Sequence, residues 1–215
     1  MTAAKPVDQF PNLVRLSCLA LLALSIAFFY QHPHIDLTIA IYINETFRPT
    51  TTILTMASDI IYWLAWFFPI FLALYCLKYK RQDDIFILTC YLASIVVATN
   101  LIIKPIWGRM RPADVLLAKL EAYTSIFELS NHCTFNCSFV SGHAACGFFL
   151  ISYAIIYPKK RAVITLLAIV SGLLIGLVRM LEGQHFLSDI VFSACINTII
   201  IAHIAIQYQQ FKLTT

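Results

Sequence analysis

The runs Leu19-Ala20-Leu21-Leu22-Ala23-Leu24 and Ile199-Ile200-Ile201-Ala202 are apolar on every side and show no period of two. A half-buried strand would alternate, and an open strand edge in lipid leaves backbone groups unpaired at several kcal/mol each. These runs therefore predict helices whose solvent is lipid. Outward from them, six stretches approach the ~20 apolar residues that cross a hydrocarbon core about 30 Å thick. They are 13–31, 53–77, 85–103, 142–157, 162–181 and 187–207. The expected fold class is all-α, a polytopic membrane protein with six transmembrane helices in a bundle.

Composition agrees. The chain of 215 residues is 60% hydrophobic and 12% charged, whereas an ordinary soluble domain carries about 25% charged residues. The net charge of +4 comes from scattered clusters, not from the broad basic face of a nucleic-acid binder, so no nucleic-acid partner is expected. No internal repeat, low-complexity tract or Gly/Ser linker divides the chain, and residues 1–215 are read as a single domain. A cleaved leader is the rival reading of the first stretch. Gln31-His32-Pro33-His34 does not resemble a small-residue cleavage site, so a retained span is expected.

Short-loop cations set the orientation. With six spans, Lys5, Arg15, Lys78, Lys80, Arg81, Lys159, Lys160, Arg161 and Lys212 all fall on one side. That side is the cytoplasm, and both termini share it. The other side receives the 32–52 loop, the long 104–141 loop and the turn from Glu182 to Phe186. It also receives Lys104, Arg109, Arg111, Lys119 and Arg179, which break the charge rule. Cations in an outer loop need a task and a counter-ion.

Three segments at that face hold nearly all the reactive side chains: Lys104-Pro105-Ile106-Trp107-Gly108-Arg109-Met110-Arg111-Pro112, then Ser138-Phe139-Val140-Ser141-Gly142-His143, then Arg179, His185 and Asp189. Singly, each has an ordinary explanation: interfacial lysine and arginine snorkel to the head groups, Ser-Gly-His suits a loop-to-helix junction, and Arg179 can cap a helix C-terminus. Asp189 resists this, because an ionised carboxylate inside a span costs energy unless it is paired. His185 stands four residues before it, so the two share a face if the last helix begins early.

Lys-x6-Arg-Pro, Ser-Gly-His and Arg-x5-His-x3-Asp, in that order at helix ends, resemble the three-part signature of the type 2 phosphatidic acid phosphatase (PAP2) family. The motifs lie within 104–189. The stretches Cys133-Thr134-Phe135-Asn136-Cys137-Ser138-Phe139-Val140-Ser141-Gly142-His143-Ala144 and Arg179-Met180 to Ser188-Asp189 look like the bacterial lipid A phosphatases of that family. Many other members carry Pro where Val140 stands.

Phosphate-ester chemistry suits these residue types. Transfer of a phosphoryl group depends on positioning and on neutralising charge over its equatorial oxygens. Lys104, Arg111 and Arg179 supply three cations, with arginine matched to bidentate phosphate contacts. Ser141 and Gly142 add a hydroxyl and a backbone N–H at the start of the fourth span. His185 is the candidate nucleophile, with Asp189 fixing its tautomer, and His143 the acid that protonates the leaving alkoxide and then activates water. The division of labour between the histidines is what the resemblance implies. So is chemistry without a metal or other cofactor: His32, His34, His132 and His203 lack acidic or Cys partners at ligand spacing.

The implied partner is a phosphorylated lipid at the periplasmic face of a bacterial inner membrane, lipid A before undecaprenyl pyrophosphate or phosphatidylglycerophosphate. Phosphotransfer to a second lipid, or a non-enzymatic transporter or scaffold holding the head group, are the alternatives. Which phosphate leaves, and the oligomeric state, are open. Arg109 misses the motif spacing and is read either as a contact to a second anionic group or as a solvated residue. Glu182 and Gln184 are candidate rim residues. Cys18, Cys76, Cys90, Cys146 and Cys195 lie in apolar stretches as small hydrophobes. Cys133 and Cys137 lie in the outer loop, where a disulfide can persist, and are expected to close a ring bracing the approach to Ser141.

Overall fold

The computed structural model describes residues 7–47, 52–118, 120–134 and 136–214. Lys5 and Lys119, placed above on opposite sides of the membrane, lie outside the described residues. All regular structure among the described residues is helical. The elements are α1 (Phe10–Gln31), α2 (Ile35–Phe47), α3 (Thr52–Tyr79), α4 (Gln82–Tyr91), a π-helical stretch (Leu92–Ile103), α5 (Lys104–Trp107), α6 (Pro112–Leu117), α7 (Gly142–Phe148), α8 (Ile151–Ile156), a single 3₁₀ turn (Pro158–Lys160), α9 (Arg161–Leu181) and α10 (Leu187–Thr214).

Four helical stretches among the described residues are long and apolar enough to cross a membrane: Phe10–Gln31, Gln82–Leu117, Pro158–Leu181 and Leu187–Lys212. The other two expected crossings correspond to the shorter apolar stretches Phe67–Tyr79, within α3, and Gly142–Ile156. Unforeseen is α2, a helix inside what was expected to be an outer loop. Pro69 lies within α3 without ending it.

α1 packs along α10, and α7 lies against α9. The second contact is backbone on backbone. A Cβ on Gly147 would fall 2.5 Å from the Gly172 nitrogen, and one on Gly172 would fall 2.4 Å from the Phe148 ring. Gly172 and Gly176 thus serve packing within the bundle, as small residues do between membrane helices. Phe68, Tyr91 and Phe149 interleave beside them with ring centroids 5.2–6.1 Å apart. The five cysteines expected as small hydrophobes are free thiols, buried or half-buried.

The two ends of the bundle differ chemically. At one end Asp83, near the start of α4, accepts from Tyr208 Oη (2.7 Å) and Lys212 Nζ (2.9 Å) of α10, and Arg161 pairs with Asp8. Lys78, Lys80, Arg81, Lys159 and Lys160 sit in the turns of this end. At the opposite end the start of α5, the N-termini of α7 and α10 and the C-terminus of α9 come together. In the stretch leading there, Asn100 Nδ2 donates to the Ile95 carbonyl five residues back (2.8 Å), matching the wider π turn, a feature frequent at functional sites.

Candidate active site

Gly108 organises the first segment. It ends α5 at φ 57°, where only glycine is unstrained, and a Cβ would lie 1.8 Å from the Ser130 carbonyl oxygen. The turn sends Arg109 inward and leaves Arg111 half-exposed at the start of α6. Arg111 donates through Nη2 (2.9 Å) and Nε (3.2 Å) to the backbone oxygen of Asn136, and buried Lys104 reaches its side-chain oxygen at 3.5 Å. Asn136 sits inside the ring closed by a Cys133–Cys137 disulfide. The expected bond is present, and it frames the residue that steadies both cations.

The second segment enters α7 through Ser141. Its side chain accepts from the Ala144 N–H (3.3 Å), its own N–H donates to the Asp189 carbonyl (3.1 Å), and its carbonyl accepts from Ser193 Oγ (2.7 Å). Ser141 is thereby an N-cap, its position fixed by α10. A Cβ on Gly142 would lie 3.9 Å from Lys104 Nζ, which brings this backbone beside the lysine. Val140 is buried among Phe29, Ile126, Phe139 and Phe192.

In the third segment Arg179, in the last turn of α9, pairs with Glu182 (2.6 Å) and lies 3.4 Å from Gln184 Oε1. Both candidate rim residues thus hold a cation. His185 and Asp189 meet, but not as neighbours on a helix face. α10 begins at Leu187, and the preceding turn folds back so that the Phe186 N–H donates to Asp189 Oδ2 (2.8 Å). His185 Nδ1 stands 3.4 Å from the same oxygen, looser than a well-formed hydrogen bond. Its Nε2 has no hydrogen-bond partner among the described residues.

Asp189 has a stronger partner than the one expected. Arg109 Nη1 donates to its Oδ1 at 2.9 Å, and Ser138 Oγ donates to its Oδ2. Arg109 is 1% exposed, and its other donors go to Ser188 Oγ (2.8 Å), Asp36 Oδ2 (2.9 Å) and the Thr124 carbonyl (3.0 Å). It is therefore not a solvated residue, and its donors go to groups of the protein itself rather than to a second anionic group of a substrate or to lipid head groups. Asp36, Ser138, Ser188 and Asn136 were not singled out from the sequence. For Asp36 a signal existed: a carboxylate in the first turn of an apolar helix needs a partner.

Lys104, Arg111, His143, Arg179 and His185 act on one another electrostatically, His143 feeling the other four. The three segments thus converge at one end of the bundle. Among the described residues, no group of three or more His, Cys, Asp or Glu is arranged to hold a metal. At His185, burial pulls the pKa from 6.5 down to about 4; Asp189 pushes it up, and Lys104 and Arg111 lower it further. The imidazole is neutral at pH 7. Because the unfolded chain takes this proton near 6.5 and the folded chain only near 4, His185 contributes stability above pH 6.5 that is lost as pH falls to 4. In a ¹⁵N-histidine NMR titration, with the resonance assigned by its loss in His185→Ala, the midpoint is expected near 4; one at 6.5 or above would refute the effect of burial.

Residues 85–213 match the PAP2 superfamily, and the chain belongs to that family. It is accordingly a phosphoric ester hydrolase, with apolar helices of membrane-spanning length. Within the family it is similar to lipid A 4'-phosphatases. It is 34% identical to that of Francisella tularensis subsp. novicida over 148 residues, 61% of this chain and 67% of the relative. It is 34% identical to the Rhizobium leguminosarum protein and 32% identical to the Rhizobium etli protein, each over half of this chain, and spans less than half the length of either. No solved structure matches it.

Proposed function

We propose that this protein removes the 4'-phosphate of lipid A at the periplasmic face of a bacterial inner membrane, through a phosphohistidine intermediate. The observation that carries the reading is the buried His185, backed by Asp189 and set among Lys104, Arg111 and Arg179. Lys104, Arg111, Arg179, the Ser141 hydroxyl and the Gly142 N–H hold the phosphate oxygens. His185 Nε2 attacks phosphorus while Asp189 stabilises the imidazolium that forms. His143 protonates the departing sugar alkoxide, then takes a proton from the water that attacks the phosphohistidine, releasing inorganic phosphate and restoring His185.

In this reading residues 1–215 form one membrane-embedded domain of six spans, with both termini and the lysine-rich end in the cytoplasm. The helix Gly142–Ile156 reaches only roughly 22 Å at about 1.5 Å per residue, short of the bilayer core. The phosphate site at its N-terminus is then recessed below the surface, which suits a substrate whose acyl chains stay in the membrane. The names of the relatives supply the 4' position.

The test offers bis-phosphorylated lipid A to the purified protein in detergent with excess EDTA, beside undecaprenyl pyrophosphate and phosphatidylglycerophosphate. The expected product is lipid A one phosphate lighter, with fragmentation placing the loss at 4'. Faster turnover of another lipid would reassign the substrate, and no phosphate release from any of them would overturn the phosphatase reading.

A further inference from the structure

The mechanism accounts for Asp189 but not for a second buried carboxylate beside it. Asp36 is 3% exposed and stands in the first turn of α2, outside the region that matches the family. Its Oδ2 accepts from Arg109 Nη2 at 2.9 Å and from Ser188 Oγ, and its Oδ1 accepts from the Ser188 N–H at 3.0 Å. Arg109 in turn bridges Asp36 and Asp189, with both ion pairs at 2.9 Å.

The charges settle what this bridge does. A guanidinium beside Asp189 alone would neutralise the carboxylate that His185 needs when its ring becomes cationic. Two carboxylates against one guanidinium leave one negative charge in the cluster. The other charged groups around His185 are Lys104, Arg111 and Arg179, with His143 close by. All are cationic or neutral, and Glu182 is already taken up by Arg179, so the surplus charge at His185 comes from the bridge.

We propose that Asp36 is a positioning residue for catalysis: by engaging Arg109 it keeps the charge of Asp189 available to the His185 imidazolium, while Ser138 Oγ and the Phe186 N–H hold the Asp189 carboxylate in place. This rests on the phosphohistidine reading above. It makes α2 part of the catalytic apparatus, although Asp36 does not touch the substrate.

The experiment measures kcat and KM on one lipid phosphate for the native protein, Asp36→Asn, Asp36→Asn with Arg109→Gln, Ser188→Ala, and His185→Ala as control. One pKa unit of lost imidazolium stabilisation is a tenfold effect, so kcat of Asp36→Asn is expected to fall about tenfold with KM within about twofold. The double variant removes one charge of each sign, restores the net negative charge, and should turn over faster than Asp36→Asn. Ser188→Ala, which removes the hydroxyl shared by Asp36 and Arg109 but no charge, should stay within about threefold of native.

A role confined to anchoring the start of α10 predicts the reverse order, with the double variant worst and Ser188→Ala impaired. That order, a native kcat in Asp36→Asn, or a loss carried by KM would overturn the proposal. Should Asp36→Asn fail to fold, a double variant within about tenfold of native together with a near-native Ser188→Ala still supports it, and a slower double variant sinks it. If His185→Ala keeps releasing phosphate, the catalytic reading itself has failed; if it is silent while Asp36→Asn is native, only the role of Asp36 falls.

Discussion

Replacing His185 with Ala is expected to lower kcat/KM for phosphate release on the order of 10⁴-fold or more, the scale on which loss of a nucleophile is felt. The imidazole is fully buried, and no other side chain offers a neutral nitrogen backed by a carboxylate at this end of the bundle among the described residues. Water attacking directly would have to do without that activation, and the remaining cations would stabilise only the phosphoryl charge. The paired variant His143→Ala tests the second histidine. On the proposed mechanism it loses the acid of the first step and the base of the second, so turnover should fall in both variants, and rapid quenching should still trap acid-labile phosphoprotein in His143→Ala, whereas His185→Ala should trap none. Turnover within about tenfold of native in His185→Ala, or labelled phosphate on another residue, would remove the histidine from the reaction.

The parts of this architecture that follow from short-range chemistry were legible in the sequence. Runs apolar on all sides are helices in lipid, and cations gathered in one loop and at helix ends need an anion. Lys104, Arg111, Ser141, His143, Arg179, His185 and Asp189 accordingly meet at one end, and the Cys133–Cys137 bond forms in the loop between them. What escaped was set by contacts distant along the chain. The spacing of His185 and Asp189 suggested a helical pair, but the turn before α10 brings them together instead, since the Phe186 N–H occupies the carboxylate. Asp36 lies 73 residues from Arg109, and no periodicity connects α2 with the loop after α5. Arg109 itself reads as a surface cation until Gly108 turns it inward. Asn136 was passed over because its backbone oxygen, which every residue possesses, binds Arg111.

The second large effect is on folding. Arg109→Gln is expected to destabilise the protein by about 3–5 kcal/mol, the cost of removing one partner from a buried ion pair. The reason is the partners left behind. Asp36 and Asp189 are 3% and 0% exposed, and without the guanidinium two like charges face each other away from water. The substituted glutamine could hydrogen-bond one of them but neutralise neither, and the bond to the Thr124 carbonyl and the stacking over Phe186 at 4.2 Å would also be lost. Arg161→Gln provides the scale. That arginine also pairs with an aspartate, Asp8, but the two side chains are 23% and 34% exposed, and such screened pairs contribute roughly 0–1 kcal/mol. Thermal unfolding of both variants in the same detergent compares the two sites directly. Arg109→Lys should fall between, because it keeps the charge but cannot fork between two carboxylates and a carbonyl. If Arg109→Gln melted no lower than Arg161→Gln, the buried bridge would not hold this end of the bundle together, and the placement of Asp189 would need another explanation.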